Sequence, residues 1–286
     1  MKQLTVISGK GGTGKTTLLA SLAFLVRGDA VLADCDVDAP DLHLLLDPEI
    51  VETRDFMGLQ VARIDASECT QCGECEENCR FEAIEDFQVD PRHCEGCRVC
   101  TLVCPVDAVS MVDQVSGHAY VSRTRFGTMI HAHLIPGEEA SGKLVTMVRE
   151  LAHEVAESEH KDLVLIDGSP GIGCPVIASI TGADLALIMT EPTLSGVHDL
   201  ERIVGVTLHF GVETLVCINK YDLNLEVTEQ IERWCREMGI GMAEKLPFDP
   251  GVVDAMVSRK TVIEFGGPMA DAIEILWQRL RSELQE

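Results

Sequence analysis

The chain has 286 residues, 46% of them hydrophobic but only 4% aromatic, and carries 23 Lys and Arg against 47 Asp and Glu, a net charge of −24. That length suits one large core plus a smaller unit. The charge argues against nucleic acid or an anionic membrane as partner, because no basic run offsets it.

No apolar run is long enough to span a bilayer. Met1-Lys2-Gln3 leads straight into a strand pattern without a signal peptide, so the expectation is a cytoplasmic protein. In that reducing setting the twelve cysteines read as metal ligands rather than disulfides.

Taken in chain order, residues 3–8 form a short apolar β-rich run, followed by glycines and a helical pattern over 15–26. Residues 30–36, "AVLADCD", are a second buried strand. Residues 66–112 differ from their surroundings, being dense in cysteine, with ten acidic and three basic side chains. The runs at 162–167, 183–190 and 214–219 are continuously apolar and end on polar residues, as strands covered on both faces do. Helical patterns fill 141–158, 195–209, 226–238 and 268–285. The alternation predicts an α/β fold, a doubly wound and mostly parallel sheet with right-handed crossovers. It is built from residues 1–65 and 113–286, with 66–112 inserted. Ligands of such sheets bind beyond the carboxyl ends of the strands, so the polar residues there are the candidates.

The first is Gly9-Lys10-Gly11-Gly12-Thr13-Gly14-Lys15-Thr16, followed by Thr17, a G-x4-G-K-[ST] match between a strand and a helix. Glycines let backbone N–H groups turn inward around phosphate oxygens, and the helix N-terminus adds partial positive charge. Lys15 is expected on the β- and γ-phosphates and the Thr16 hydroxyl on Mg²⁺.

Lys10 makes the loop K-G-G-T-G-K-T. With "DCDVDAPDLHLLL" (34–46) and "LIDGSPGIG" (165–173), it resembles the deviant Walker A loop of the MinD and ParA class of P-loop ATPases, to which the nitrogenase iron protein belongs. The resemblance implies that Lys10 reaches the partner's phosphates in an ATP-bound homodimer. It implies that Asp36 orients the attacking water and that Asp167 supports Mg²⁺. Asp38 reads as a cap of the following helix, and Asp34 as part of an acidic turn.

"CINKYD" sets Asn219, Lys220 and Asp222 after a strand in an N-K-x-D pattern. In resembling ATPases the asparagine meets adenine and a segment like "LPFDP" (246–250), here with Pro247, closes over the base. ATP is therefore the expected nucleotide, with GTP kept open by Asp222. Segments 122–134, 137–145 and 190–202 also look like parts of that family. In the last, Ser195 reads as a helix N-cap with His198 in the first turn. His131 and His133 alternate along a strand, which is compatible with a metal pair but more usual for surface or core histidines.

The insert carries C-x2-C-x2-C-x3-C twice, at Cys69, Cys72, Cys75, Cys79 and at Cys94, Cys97, Cys100, Cys104. The doubled run resembles a bacterial two-cluster ferredoxin. The resemblance implies two [4Fe–4S] clusters with crossed ligands: Cys69, Cys72, Cys75 and Cys104 on one, Cys94, Cys97, Cys100 and Cys79 on the other. Zinc, which takes four ligands, leaves the third and fourth cysteine of each run unexplained. Proline follows Cys104, but Arg80 follows Cys79. Cys35, Cys174, Cys217 and Cys235 read as small apolar residues in or near the core, Cys174 close to Asp167 in sequence.

The whole pattern resembles MinD-superfamily ATPases with an inserted ferredoxin unit. It implies an ATPase that couples nucleotide state to electron transfer. The partner is a redox or metallocluster protein, or a related ATPase of the same family. The alternative is an iron–sulfur or metal-cluster carrier of the Mrp type, whose C-x-x-C pair has no counterpart after Cys104. A MinD-like membrane role is disfavoured because the last helical pattern is acidic and its apolar stripe suits a core.

Overall fold

The computed structural model describes residues 1–136 and 141–285, so part of the 137–145 segment lies outside the described residues. The chain divides into two compact units. One is Met1–Thr53 with Ala119–Ala132 and Ser141 onward, and the other is Arg54–His118 with the stretch from His133.

In the first unit β1 (Lys2–Ser8) turns through the glycine loop into α1 (Lys15–Val26) and then β2 (Ala30–Asp34). After α2 (Leu42–Leu46) come β3 (Glu49–Ile64) and the insert, containing α3 (Glu74–Glu77), β4 (Ile84–Glu85), β5 (Gln88–Val89) and α4 (Val99–Val103). The chain returns through β6 (Val109–Thr124) and β7 (Gly127–Leu134) to α5 (Ser141–Ser158), β8 (Leu163–Pro170) and α6 (Cys174–Ile180). It closes with β9 (Leu185–Thr190), α7 (Leu194–His209), β10 (Glu213–Asn219), α8 (Leu225–Met238), β11 (Gly241–Leu246), α9 (Gly251–Val257), α10 (Val262–Phe265) and α11 (Pro268–Gln285).

The sheet order is β11-β10-β9-β1-β8-β2-β7-β6-β3. β1 pairs in parallel with β8 and β9, β2 with β8 and β7, and β10 with β9 and β11. The central strands are apolar along their length because helices cover both faces. Leu18, Leu19 and Leu22 of α1 pack with Ile273, Leu276 and Leu280 of α11 on one side. Ile203 of α7 and Ile231 of α8 pack with Ile7 and Ile188 on the other. This doubly wound sheet brings the ends of β1, β2, β8 and β10 to one edge.

Two helix starts differ from expectation. Thr193, not Ser195, caps α7 and accepts a bond from Gly196 N at 3.0 Å; Ser195 lies inside the first turn. Asp38 does not cap α2. The Oδ2 of Asp34 accepts the Leu42 N–H at 3.4 Å and its Oδ1 accepts that of Asp36 at 3.1 Å. Asp34 is thus a buried structural carboxylate, not part of a solvated turn.

The second unit is wider than the cysteine-dense stretch, because β3 and β6, each 16 residues long, run through both units. Both strands lack the continuous apolar run of the central ones. Its core is small: Ala62, Cys75, Ile84 and Val109, with Cys79, Cys94, Cys100 and Cys104 packed around them. Among the described residues no helix is long and apolar enough to cross a membrane.

Candidate functional site: a phosphate-loop cleft and two cysteine-lined cavities

In the first unit, Gly12 and Gly14 sit at φ +79° and +92°, a backbone region that side chains resist. A Cβ on Gly14 would also stand 2.7 Å from Asn219 Nδ2. That amide donates to Thr13 O at 2.9 Å, so Asn219 at the end of β10 braces the loop. No side chain caps α1, which leaves its first N–H groups for an anion.

A cavity of about 710 Å³ opens over this loop, within the range that holds a nucleotide. Gly11, Gly12, Gly14, Lys15, Thr16 and Thr17 line its floor. Asp36 and Asp41 line it from the β2 side, and Asn219, Lys220 and Pro247 from the β10–β11 side. Thr13 is buried with its hydroxyl unpartnered. Lys10 and Asp222 do not line the cavity. Asp222 Oδ1 accepts the Phe248 N–H at 2.7 Å, tying the 246–250 segment to the N-K-x-D turn; Asn224 caps α8 instead. The sequence reading missed an apolar wall of Leu44, Phe248, Val252, Val253 and Met256. They come from α2, α9 and the segment before α9, pieces too short for periodicity to mark.

Asp36 lines this floor, and two buried aspartates lie behind it. Asp167, within β8, is buried, neither carboxylate oxygen has a hydrogen-bond partner, and it pairs in register with Asp34 of β2. Burial pushes its pKa up to about 7, against the opposing pull of Lys15 and a nearby Thr16 hydroxyl that makes no well-formed bond. Burial, then the charge of Asp167, also raises Asp34 well above the carboxylate range. Asp36 is raised by burial and held down in part by Lys15. An orphaned carboxylate beside the loop threonine suits a divalent cation brought in with a nucleotide, since such groups cost free energy until paired.

In the second unit, the eight run cysteines divide between two cavities. Cys69, Cys72, Cys75 and Cys104 line one, with Ile64, Phe87 and Val106 around them. Cys79, Cys94, Cys97 and Cys100 line the other, with Phe81, Arg98 and Val99. The last cysteine of each run has thus crossed to the other's cavity. Backbone N–H groups point at four of the sulfurs: Gln71 to Cys69 (3.4 Å), Ala83 to Cys79 (3.3 Å), Ala62 to Cys94 (3.4 Å) and Ala108 to Cys104 (3.2 Å). Among the described residues no three Cys, His, Asp or Glu side chains converge closely enough to hold a single metal ion. The sulfurs ring a space instead. Burial raises the Cys75 and Cys100 thiols, so thiolates there need positive charge from what they bind.

The remaining candidates are separate. His131 Nε2 lies 2.9 Å from Ser122 Oγ, whereas His133 stacks edge to face on His118, whose Nδ1 is 3.0 Å from Asp55. Cys35, Cys217 and Cys235 are buried, and Cys174 is exposed.

The fold and loop define a P-loop nucleotide-binding α/β protein. Residues 4–262 match the family described as CobQ/CobB/MinD/ParA nucleotide binding domain, and the chain belongs to it. An uncharacterized protein of Methanocaldococcus jannaschii is 32% identical over 281 residues, 98% of this chain and 96% of that protein. A ferredoxin-like protein in the nif region of Rhizobium leguminosarum bv. trifolii is 43% identical over 54 residues, 15% of this chain and 84% of that protein. Among solved structures, septum site-determining protein MinD complexed with Mg-ADP from Pyrococcus horikoshii superposes with a TM-score of 0.58 at 16% identity. It covers 98% of this chain and 95% of that one, which shows a shared fold.

The Asp167 environment generates a pH dependence. A carboxyl whose folded pKa is raised binds its proton more tightly folded than unfolded. Stability of the nucleotide-free protein should therefore fall as pH rises from the ordinary carboxylate value, roughly 4, to about 7, by on the order of a few kcal/mol. Urea unfolding midpoints at pH 5.5 and 7.5 should show that fall, and Asp167→Asn should reduce it to the part left by Asp34. A wild-type midpoint that rises over this window contradicts the assignment.

Proposed function

We propose that this chain is an ATP-hydrolysing iron–sulfur protein in which nucleotide state governs electron transfer to a protein partner. Its family consists of P-loop ATPases. The observation that carries the reading further is the crossed division of eight cysteines between two cavities, on a chain whose other unit holds the phosphate loop. ATP rather than GTP is favoured because the Asp222 carboxylate, which guanine would need, is held by Phe248 N.

The hydrolytic residues follow from the cleft. The loop N–H groups and Lys15 hold the β- and γ-phosphates. Thr16, Asp167 and Asp36 are the groups suited to Mg²⁺, and occupying the cation site supplies the charge that Asp167 lacks. Asp36, lining the cavity, orients the water. Lys10 stays off its own cavity, consistent with action on the phosphates of a second copy. Such a lysine adds charge stabilisation only in an ATP-bound homodimer. In the second unit the cysteines would hold two [4Fe–4S] clusters, which supply one-electron chemistry. The backbone N–H groups on four sulfurs would stabilise the reduced forms, and Arg98 beside the second cavity, with Arg80 next to Cys79, favours reduction there. Strands β3 and β6 belong to both units and are the covalent route for coupling.

Three experiments test this. Anaerobically prepared protein should hold about eight iron and about eight sulfide per chain, and Cys104→Ser should damage the cluster of the first run rather than the second; a preparation containing mainly zinc ends the redox reading. Lys15→Ala should abolish nucleotide binding, whereas Lys10→Ala should retain it and lose hydrolysis and dimerisation. Full turnover by a monomeric Lys10→Ala protein removes the role in trans.

The third concerns coupling. If nucleotide shifts cluster potential, reduction must shift nucleotide affinity by the same factor. Anaerobic calorimetry with a non-hydrolysable ATP analogue should give different affinities for oxidised and dithionite-reduced protein. Equal affinities, together with cluster loss to an apo-acceptor, transfer the reading to a cluster carrier.

A further inference from the structure

Arg125 and Phe126 form the turn between β6 and β7 and line no part of the nucleotide cavity. The turn is firmly fixed. Phe126 is buried, its ring edge-on to that of Phe24 on α1 with centroids 5.5 Å apart. Thr124 Oγ1 accepts the Phe126 N–H at 3.1 Å and donates to Gly127 O at 2.8 Å. From this anchor the Arg125 side chain reaches three short helices. Its guanidinium donates to Leu45 O of α2 at 3.1 Å, to Arg259 O just past α9 at 3.1 Å and to Glu264 Oε1 of α10 at 2.7 Å.

Helices this short, with five, seven and four residues, are not stable by themselves and take their place from tertiary contacts. Carbonyls at helix C-termini also lack partners within the helix. Arg125 meets both needs for α2 and for the end of α9. The Arg259 N–H in turn donates to Met256 O at 3.0 Å, so this grip lies one hydrogen bond from the cavity lining. The second oxygen of Glu264 accepts the Thr261 N–H at 2.8 Å and completes the capping box that starts α10. A planar guanidinium serves several acceptors in fixed directions, which an ammonium does not. The helices α2 and α9 carry Leu44, Leu45, Val252, Val253 and Met256 of the cavity wall.

We propose that Arg125 is a positioning residue for nucleoside binding: it sets α2 and α9 as the apolar wall against which base and ribose pack, and leaves the phosphates to the loop. The proposal rests on the nucleotide-binding reading of the cleft. Its selectivity follows from the chemistry of the two ends. Phosphate oxygens take N–H groups and Lys15 and gain nothing from an apolar wall, whereas the face of a base gains from apolar contact. None of the three Arg125 bonds goes to the loop. Phe24, which holds the turn, lies near the end of α1 remote from the loop. Loss of Arg125 therefore loosens the wall and spares the phosphate site.

The test uses the full chain with Mg²⁺ and two ligands that differ by the nucleoside alone, ADP and pyrophosphate. By calorimetry, Arg125→Gln should bind ADP several-fold more weakly and pyrophosphate as tightly as wild type. Arg125→Lys, which keeps the charge but not the fork, should fall between. In ligand-free protein, hydrogen exchange should quicken in α2 and α9 of Arg125→Gln and stay unchanged in α1. Equal weakening toward both ligands overturns the proposal, as does unchanged ADP affinity or unchanged exchange in α2 and α9. A wild type that binds ADP no more tightly than pyrophosphate also overturns it. Should Arg125→Gln fail to fold, Arg125→Lys is read by the same comparisons. If wild type binds neither ligand, the nucleotide reading itself fails and takes this role with it; if wild type binds both and only the predicted split is missing, this proposal alone fails.

Discussion

A carboxylate buried without a hydrogen-bond partner, beside a lysine and two further aspartates, is the constraint on which the first unit depends. Neither carboxylate oxygen of Asp167 has a hydrogen-bond partner, and the opposing Lys15 is itself almost fully buried. An arrangement this costly persists only where the surrounding sheet over-determines it. The parallel pairing of β1 and β2 with β8 does so, setting Asp34 in register with Asp167 and the loop beside both. What relieves it is a ligand carrying both phosphate and a divalent cation. On the function proposed above, phosphate would take the helix N–H groups and the cation the carboxylates, so nucleotide binding would relieve a cost already built into the fold.

The second unit poses the opposite problem. Its core is too small to hold Arg54–His118 and the stretch from His133 together by apolar burial, and domains of that size lean on staples. Cysteine occupies the positions where a larger unit would have leucine. Gly73, Gly96, Gln71 and Arg98 take up the left-handed backbone that close wrapping of the sulfurs demands. A group bridging four sulfurs would serve folding and function together, which explains why so polar and acidic a segment sits among ordered strands. For a redox cluster of the kind proposed, the surrounding acidity would disfavour reduction, and the N–H groups aimed at sulfur and the arginines near the second cavity would work against that.

Nucleotide-binding sites usually draw on the ends of several strands, and this one adds a network of lysines that have not reached phosphate. Lys10 after β1, Lys220 after β10 and Glu191 after β9 form a charge set with one cation in excess. Asp222 and Asn219 spend their polar groups on the protein itself, one on the Phe248 segment and one on Thr13. The β10–β11 side of the cleft is thus braced by the protein's own hydrogen bonds.

Local pattern determined a good deal of this protein. The central strands and the long helices follow from apolar runs and 3.6-residue periodicity, since burial on both faces leaves no alternative composition. The phosphate loop and the doubled cysteine spacing are legible because their chemistry depends on neighbours in sequence. Strands β3, β6 and β7 were not legible, because outer strands alternate polar and apolar residues and carry charge. The caps at Thr193 and Asp34 escaped for a related reason: several polar residues compete in each turn, and only the backbone path selects one. The tertiary structure alone decided that Asp34 and Asp167 share a register, that Asp222 faces Phe248, and that Glu191 holds two lysines, 29 residues away at Lys220 and on the first loop at Lys10. These are contacts between distant strand ends, and nothing in a local stretch of sequence encodes which ends the sheet order will bring together.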